Sequence, residues 1–145
     1  APSAVAGIIK AVDLAGYRSG PVFIRRSKHV PPSRDAVRDL MPAFLELLQE
    51  ETDAAVRVVL GHFVFVYIHP YVDGNGRMGR FLMNVMLAAG GYSWTVIPVQ
   101  ERDAYMAALE EASVQQNIVP FRKFLARLVE ANLKGESTLT VPGQN

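Results

Sequence analysis

The sequence predicts a mainly α domain: a bundle of about six helices around a central helix–loop–helix, with one small β-hairpin. Three observations lead there. Two apolar stretches, Val56 to Ile68 and Phe81 to Ala89, flank a polar, glycine-rich loop. Apolar residues recur at helical spacing in the segments on either side of that pair. Strand-like composition is confined to a short stretch around residues 22–30 and to an extended stretch near 92–99.

A chain of 145 residues, half of them hydrophobic, is long enough for one domain with a real core and too apolar for disorder. We divide it into a catalytic-type domain over 1–134, with its core at 16–130, and a polar tail or linker over 135–145. The formal charge of +1 gives no case for a nucleic-acid partner. There is no cysteine, which removes disulfide and thiolate chemistry and fits a reducing, cytoplasmic setting. The longest apolar run, Val58 to Ile68, is interrupted by Gly61 and His62 and is too short to span a bilayer. No secretory signal pattern opens the chain, and its first residue is Ala, as in a fragment or a processed chain.

Ser3 to Ala15 reads as a helix, with Ser3 as N-cap, Gly16 as terminator and Val5, Ile8, Ile9 and Val12 on one face. Tyr17 to Pro32 reads as loop containing a hairpin: Val22-Phe23-Ile24, a turn near Arg26-Ser27, and a return near His29-Val30. Such a hairpin can bind a target segment by strand addition. On composition alone, a surface loop with a basic tip (Arg25, Arg26, Lys28) is the stronger reading. Ser33 to about Gln49 follows as a helix with Val37, Leu40, Phe44, Leu47 and Leu48 inward; either it kinks at Pro42 or a later helix begins there.

Thr52 is placed to cap the next helix, Asp53 to about Ile68, which is apolar nearly all round and therefore central. Gly61 within it costs roughly 1 kcal/mol of helix propensity and lets a neighbour approach closely. His62 is expected to be a core histidine bonded to backbone. Gly76 to Ala89 is the second central helix, closed by Gly90-Gly91, with Met78, Met83 and Met86 filling core. Tyr92 to Val99 is extended, with Trp94 and Ile97 packing. Arg102 to Ala112 is helical with Ala104, Tyr105, Ala108 and Leu109 inward, and Tyr105 is expected in the core rather than beside a ligand. Gln115 to Asn117 turns the chain. Pro120 then opens a helix to about Leu133 on the apolar face Phe121, Phe124, Leu125 and Leu128.

The chemistry concentrates in the loop His69-Pro70-Tyr71-Val72-Asp73-Gly74-Asn75-Gly76-Arg77-Met78-Gly79-Arg80. Gly74 and Gly76 permit positive φ and close backbone approach, and Asn75 tolerates the left-handed region. Apolar periodicity resumes at once, so free N–H groups and the positive end of a helix dipole lie here, a ready anion site. Arg77 and Arg80 share one helix face and offer two guanidinium forks to phosphate oxygens. Asn84 continues that stripe, as a substrate contact or a cap for a neighbour. Asp73 is suited to hold Mg²⁺ against a polyphosphate. His69, titrating near neutrality, is the natural general base. Together they point to phosphoryl or nucleotidyl transfer.

These residues resemble the signature of the Fic family, His-Pro-Phe-x-Asp-Gly-Asn-Gly-Arg-x-x-Arg, with Tyr71 in place of the usual phenylalanine. The likeness extends from about residue 16 to 130. Tyr17-Arg18 and Val22 to Pro32 resemble the family's flap with its His-x-Pro-Pro end (His29, Pro31, Pro32), and Pro98, Arg102, Tyr105, Leu109, Pro120-Phe121 and Phe124-Leu125 resemble its later helices. The resemblance implies a Fic-like bundle that moves AMP from Mg-ATP to a Tyr, Thr or Ser hydroxyl of a target protein, releasing pyrophosphate. It implies that His69 deprotonates the hydroxyl, Asp73 holds Mg²⁺, Gly74, Asn75 and Gly76 cradle phosphate, Arg77 and Arg80 hold the outer phosphates, and the target docks on the flap at Val22, Phe23 and Ile24. The choice of the α-phosphate comes only from the resemblance.

Many members carry an inhibitory helix of the pattern Ser/Thr-x-x-x-Glu-Gly/Asn. No glutamate of this chain is followed by Gly or Asn. An inhibitory helix or antitoxin acting in trans remains open, and within this chain Arg80 is expected to be unrestrained and the site constitutively competent. The rival readings are removal of AMP, which leans on that missing glutamate; a Doc-like kinase, against which Gly74 and Gly76 argue; and a non-catalytic nucleotide-binding interaction module, against which His69 and Asp73 argue.

Overall fold

The computed structural model describes residues 16–135. The helix expected over 3–15 and the tail expected beyond Gly135 lie outside the described residues. Among the described residues there are five α-helices, α1 (Arg34–Glu50), α2 (Ala54–Ile68), α3 (Asn75–Ala89), α4 (Arg102–Gln115) and α5 (Val119–Leu133), with a short 3₁₀ turn at Val99–Glu101. No helix among them is long and apolar enough to cross a membrane.

Local chemistry sets the boundaries. The Ser33 side chain accepts from Ala36 N and starts α1, and Pro42 lies inside that helix. Asp53 caps α2 by accepting from the N–H groups of Ala55 and Val56, so the cap is Asp53 rather than the expected Thr52. One carboxylate oxygen, Asp53 Oδ1, accepts from both donors, at 2.9 and 3.2 Å. Pro120 sits in the first turn of α5, where its missing N–H costs nothing.

The α2–α3 pair is the most extensive in the fold, and α2 also meets α1, α4 and α5. Two glycines let the pair close. A Cβ on Gly61 would lie 2.7 Å from the Met86 thioether, and one on Gly79 would lie 3.0 Å from Val66 Cγ1 and 3.3 Å from His62 Cε1. One cluster packs Val58, Met83, Met86 and Leu87 against Tyr105, Leu109, Phe121, Phe124, Leu125 and Leu128. A second packs Val37, Met41 and Phe44 of α1 on Phe65 and Ile68. Helix α1 thus turns its 37/41/44/48 stripe inward, and the expected core residues Leu40 and Leu47 are exposed. Ala104 faces solvent, Met78 and Trp94 are also exposed, and Met83 and Met86 fill core as expected.

His62 is the polar centre of the larger cluster. It is fully buried, its Nδ1 lies 2.8 Å from Gly79 O and its Nε2 lies 2.6 Å from the Tyr105 hydroxyl. It ties α2 to α3 and α4 at once, stacked on Phe121. Burial holds its pKa down at about 4, with the Arg80 charge acting the same way and the Gly79 bond opposing.

Asn84 and Thr95 dock the 92–98 segment onto α3. Asn84 Nδ2 donates to Thr95 O at 3.0 Å, and Thr95 N donates to Asn84 Oδ1 at 2.7 Å. Asn84 is therefore a buried structural amide, the second of its two expected roles. The 22–30 stretch contains the expected reversal, with Ser27 N donating to Ile24 O at 3.1 Å and Arg26 at φ 61°, but no strand forms there among the described residues. Its polar groups turn to other helices instead: Lys28 N donates to Glu110 Oε1 at 2.8 Å, and His29 Nε2 donates to Tyr67 O at 2.8 Å.

Arg18 closes the start of the described chain onto the end of α2. It is 1% exposed; its Nε donates to His69 O at 2.7 Å, its Nη2 to Ile68 O at 3.2 Å and to Pro32 O, and its Nη1 to Gly20 O at 3.1 Å. Its own N–H donates to Pro70 O at 2.9 Å. The last carbonyls of a helix carry partial negative charge, and a buried cation there is neutralised without a carboxylate.

Two outcomes follow. Between its unfolded value of 6.5 and its folded value of about 4, His62 binds more proton in the unfolded chain, so stability is lost as pH falls through that window. Urea titrations should show a loss on the order of 3 kcal/mol from pH 7 to pH 4 from this group. His62→Gln, which can still donate to Gly79 and accept from Tyr105, should abolish that component. Arg18→Met should cost about 3 kcal/mol in the same assay at pH 7, and Arg18→Lys should recover less than half, because one ammonium cannot span the four carbonyls.

Candidate active site

The signature from His69 to Arg80 spans the loop from the carbonyl end of α2 to the N–H end of α3 and the first turns of α3 itself. His69 is the C-cap of α2, in the left-handed region at φ 52°, ψ 60°. Arg18 holds its carbonyl, and its ring Nδ1 lies 3.1 Å from Val66 O. A carbonyl only accepts, so the proton sits on Nδ1 and the lone pair on Nε2 is left for chemistry. The ring is half-buried. Burial, then the charges of Arg18 and His29, lower its pKa below the ordinary histidine value, and the Val66 bond opposes them. The neutral, proton-accepting form is therefore favoured.

Asn75 builds the loop rather than facing out of it. Its side chain is buried, with Oδ1 accepting from Tyr71 N at 2.8 Å and Nδ2 donating to Tyr71 O at 2.8 Å. Tyr71 packs between Tyr17 and Phe65, so the position usually held by phenylalanine is a ring anchor here too. Gly74 is the N-cap of α3 at φ 78°, a conformation that favours glycine, and no side chain caps the helix. Gly74 N is taken by Asp73 Oδ1 at 2.8 Å, and the first intrahelical bond runs from Met78 N to Gly74 O at 2.9 Å. The N–H groups of Asn75, Gly76 and Arg77 thus stand without intrahelical acceptors at the positive end of the dipole.

Asp73, Arg77 and Arg80 are exposed at this mouth, and none of the three is in an ion pair among the described residues. A Cβ on Gly76 would sit 3.1 Å from Arg80 Nη1, so the absence of a side chain at 76 gives that guanidinium its place over the first turn. No group of three or more His, Cys, Asp or Glu residues able to hold a metal occurs among the described residues. A single accessible carboxylate suits Mg²⁺ only in company with phosphate oxygens, which is the way Mg²⁺ binds alongside a nucleotide.

The structure therefore places His69, Asp73 and Gly74 in the connection between the two helices, and Asn75, Gly76, Arg77 and Arg80 in the first two turns of α3. It withdraws two atoms from the expected phosphate cradle, the Asn75 amide and the Gly74 N–H. Val22, Phe23 and Ile24 lie in the adjoining turn-containing segment, with Phe23 82% exposed. The residue whose importance the sequence hides is Arg18. Its target lies fifty residues away, and an arginine beside glycines and a proline gives no local sign that it will be buried.

The Fic/DOC family model matches residues 5–87. Over 133 residues the chain is 35% identical to "Protein adenylyltransferase Fic" of Nematostella vectensis, an alignment covering 89% of this chain and 30% of that protein. It is 35% identical to the protein of the same name from Drosophila melanogaster, covering 26% of it. Among solved structures, Fic-1 (residues 134–508) from C. elegans superposes with a TM-score of 0.74 at 26% identity, over 83% of this chain and 36% of that one. A Fic family protein from Desulfovibrio desulfuricans G20 gives 0.70 at 29% identity, over 87% of this chain and 43% of that one. The chain spans under a third of the length of these curated relatives. With its signature loop set between two central helices and more than half its length matched, the chain belongs to the Fic/DOC family.

Proposed function

We propose that the chain is a protein adenylyltransferase, moving AMP from Mg-ATP to a Tyr, Thr or Ser hydroxyl of a target protein. The observation that carries this reading is the pairing of a neutral His69, with Nε2 free, and an uncapped helix N-terminus flanked by Arg77 and Arg80. A proton acceptor and a polyphosphate site then lie at opposite ends of one loop. The name of the relatives, adenylyltransferase, supports attack at the α-phosphate rather than the γ-phosphate.

In this mechanism the target hydroxyl gives its proton to His69 Nε2 as its oxygen bonds to the α-phosphorus. The bond from that phosphorus to the bridging oxygen breaks, and pyrophosphate leaves with the electron pair. The product is a phosphodiester between AMP and the side chain. The N–H groups of Asn75, Gly76 and Arg77 take phosphate oxygens, and Arg77 and Arg80 take the outer phosphates as the leaving charge grows. Asp73 would hold Mg²⁺, which supplies charge neutralisation between phosphates. Arg18 keeps His69 in its left-handed cap geometry while the proton moves.

The target is assigned to the segment carrying Val22, Phe23 and Ile24, where the exposed Phe23 offers an apolar anchor. Its turn is held by Glu110 and Tyr67. An inhibitory helix or antitoxin in trans would act by offering a carboxylate to Arg80, which lacks one among the described residues. A cysteine-free composition supports a cytoplasmic setting for the reaction.

His69→Ala should reduce AMP transfer, read by mass spectrometry of a modified target, about 100-fold or more, with Mg-ATP affinity in calorimetry unchanged. If the variant transfers AMP at the parent rate, His69 is not the base. The acid limb of the pH–rate profile should be centred below the ordinary histidine value of 6.5, because the working form is neutral and its pKa is lowered. An acid limb centred above 6.5 would contradict the environment described.

A further inference from the structure

We propose that Glu110 is a positioning residue for target docking: its carboxylate clamps the turn after Val22-Phe23-Ile24 to α4 and so sets where a docked protein segment lies relative to His69. The inference rests on reading residues 22–24 as the docking segment.

One carboxylate gathers three consecutive residues. Glu110 Oε1 accepts from Lys28 N at 2.8 Å, and Glu110 Oε2 accepts from the Ser27 hydroxyl at 2.5 Å. The Ser27 oxygen in turn accepts from His29 N at 3.0 Å, while its single proton is committed to the carboxylate. Burial pushes the Glu110 carboxyl up, but the bonds from Ser27 and Lys28, with His29 and Lys28 close by, together hold it below the usual carboxylate range. Bonds to an ionised acceptor are the stronger kind. His29 supplies a second anchor. Its Nε2 donates to Tyr67 O at 2.8 Å, and its ring lies 4.1 Å from the Tyr67 ring, centroid to centroid. Tyr67 stands two residues before His69.

Residues 21–26 make no hydrogen bond to any other element among the described residues. The segment is held upstream by Arg18, whose Nη1 donates to Gly20 O at 3.1 Å, and downstream by the Glu110 and Tyr67 anchors. Val22 and Phe23 thus lie between fixed points with their backbone groups open to an added strand. The turn itself holds Arg26 in the left-handed region at φ 61°, a conformation that a non-glycine residue keeps when its surroundings fix it. Glu110 is not needed to pack its own helix: α4 buries Tyr105, Ala108, Leu109 and Ala112, and the Glu110 side chain lies off that face.

The test uses Mg²⁺, ATP labelled at the α-phosphate and two kinds of acceptor. One is a pool of extended peptides of random sequence around a fixed Tyr, Thr or Ser. The other is the N-acetyl amides of the same three residues, too small to reach 22–24. Glu110→Ala should lower kcat/KM for the peptides about tenfold, through KM, and leave transfer to the amides unchanged. Damage to the fold would instead move both alike. Glu110→Gln, which keeps an acceptor for Lys28 N, should recover part of the loss, and Ser27→Ala should add nothing in the Glu110→Ala background. Equal losses on both acceptors, or no loss on the peptides, would overturn the role. So would a parent chain that does not prefer peptides to amides, because docking on 22–24 would then fail. A parent chain that labels neither acceptor would sink the adenylyltransferase reading. The clamp would then be decided by the backbone amide NMR signals of Val22, Phe23 and Ile24, which should move and broaden in Glu110→Ala; unmoved signals would overturn it.

Discussion

The structure depends on a buried guanidinium set against the carbonyl end of α2. Two helix ends meet in the 69–80 loop, one negative and one positive, and they are treated oppositely. Arg18 satisfies the negative end, bonding the carbonyls of Ile68 and His69 and tying them to Pro32 and Gly20. The positive end at Gly74 is left without a side-chain cap. On the proposed function, a cationic plug at one end and an uncapped N-terminus at the other turn an ordinary helix–loop–helix into a place where a polyphosphate can sit beside a proton acceptor.

The same economy runs through the loop. Side chains that the sequence offers to a ligand are spent on the backbone: the Asn75 amide closes a two-way bond with Tyr71, and Asp73 uses one oxygen on Gly74 N. On the proposed function, this rigidity leaves backbone N–H groups, rather than flexible amides, to meet phosphate, and fixed donors cost no reorganisation when charge develops. Beneath the loop, His62 joins three helices with two hydrogen bonds. The backbone of α3 next to Arg80 is therefore tied to the core through Gly79 O.

Much of this was legible in the sequence. The central pair followed from two apolar runs around a glycine-rich loop, the α1 and α5 starts from Ser33 and Pro120, and the core roles of His62 and Tyr105 from their position on buried faces. What escaped has physical reasons. Two stripes, 37/40/44/47 and 37/41/44/48, are almost equally apolar, and only packing against Phe65 and Ile68 selects the second. The 22–30 segment has strand-like composition but meets no partner strand, and its donors go to Glu110 and Tyr67. Trp94 reads as core by type, yet it lies on the surface, edge-on to Phe81, while its neighbour Thr95 is buried through Asn84. Arg18 and Asn84 act over tertiary distances that periodicity cannot register.

The most direct test of the account is to incubate the chain with Mg²⁺, candidate target proteins and ATP labelled at either the α- or the γ-phosphate, beside a His69→Ala control. The account predicts protein-bound α-label, no protein-bound γ-label, and loss of the α-label in the control. Protein-bound γ-label without α-label would contradict it, and would make the loop a kinase site.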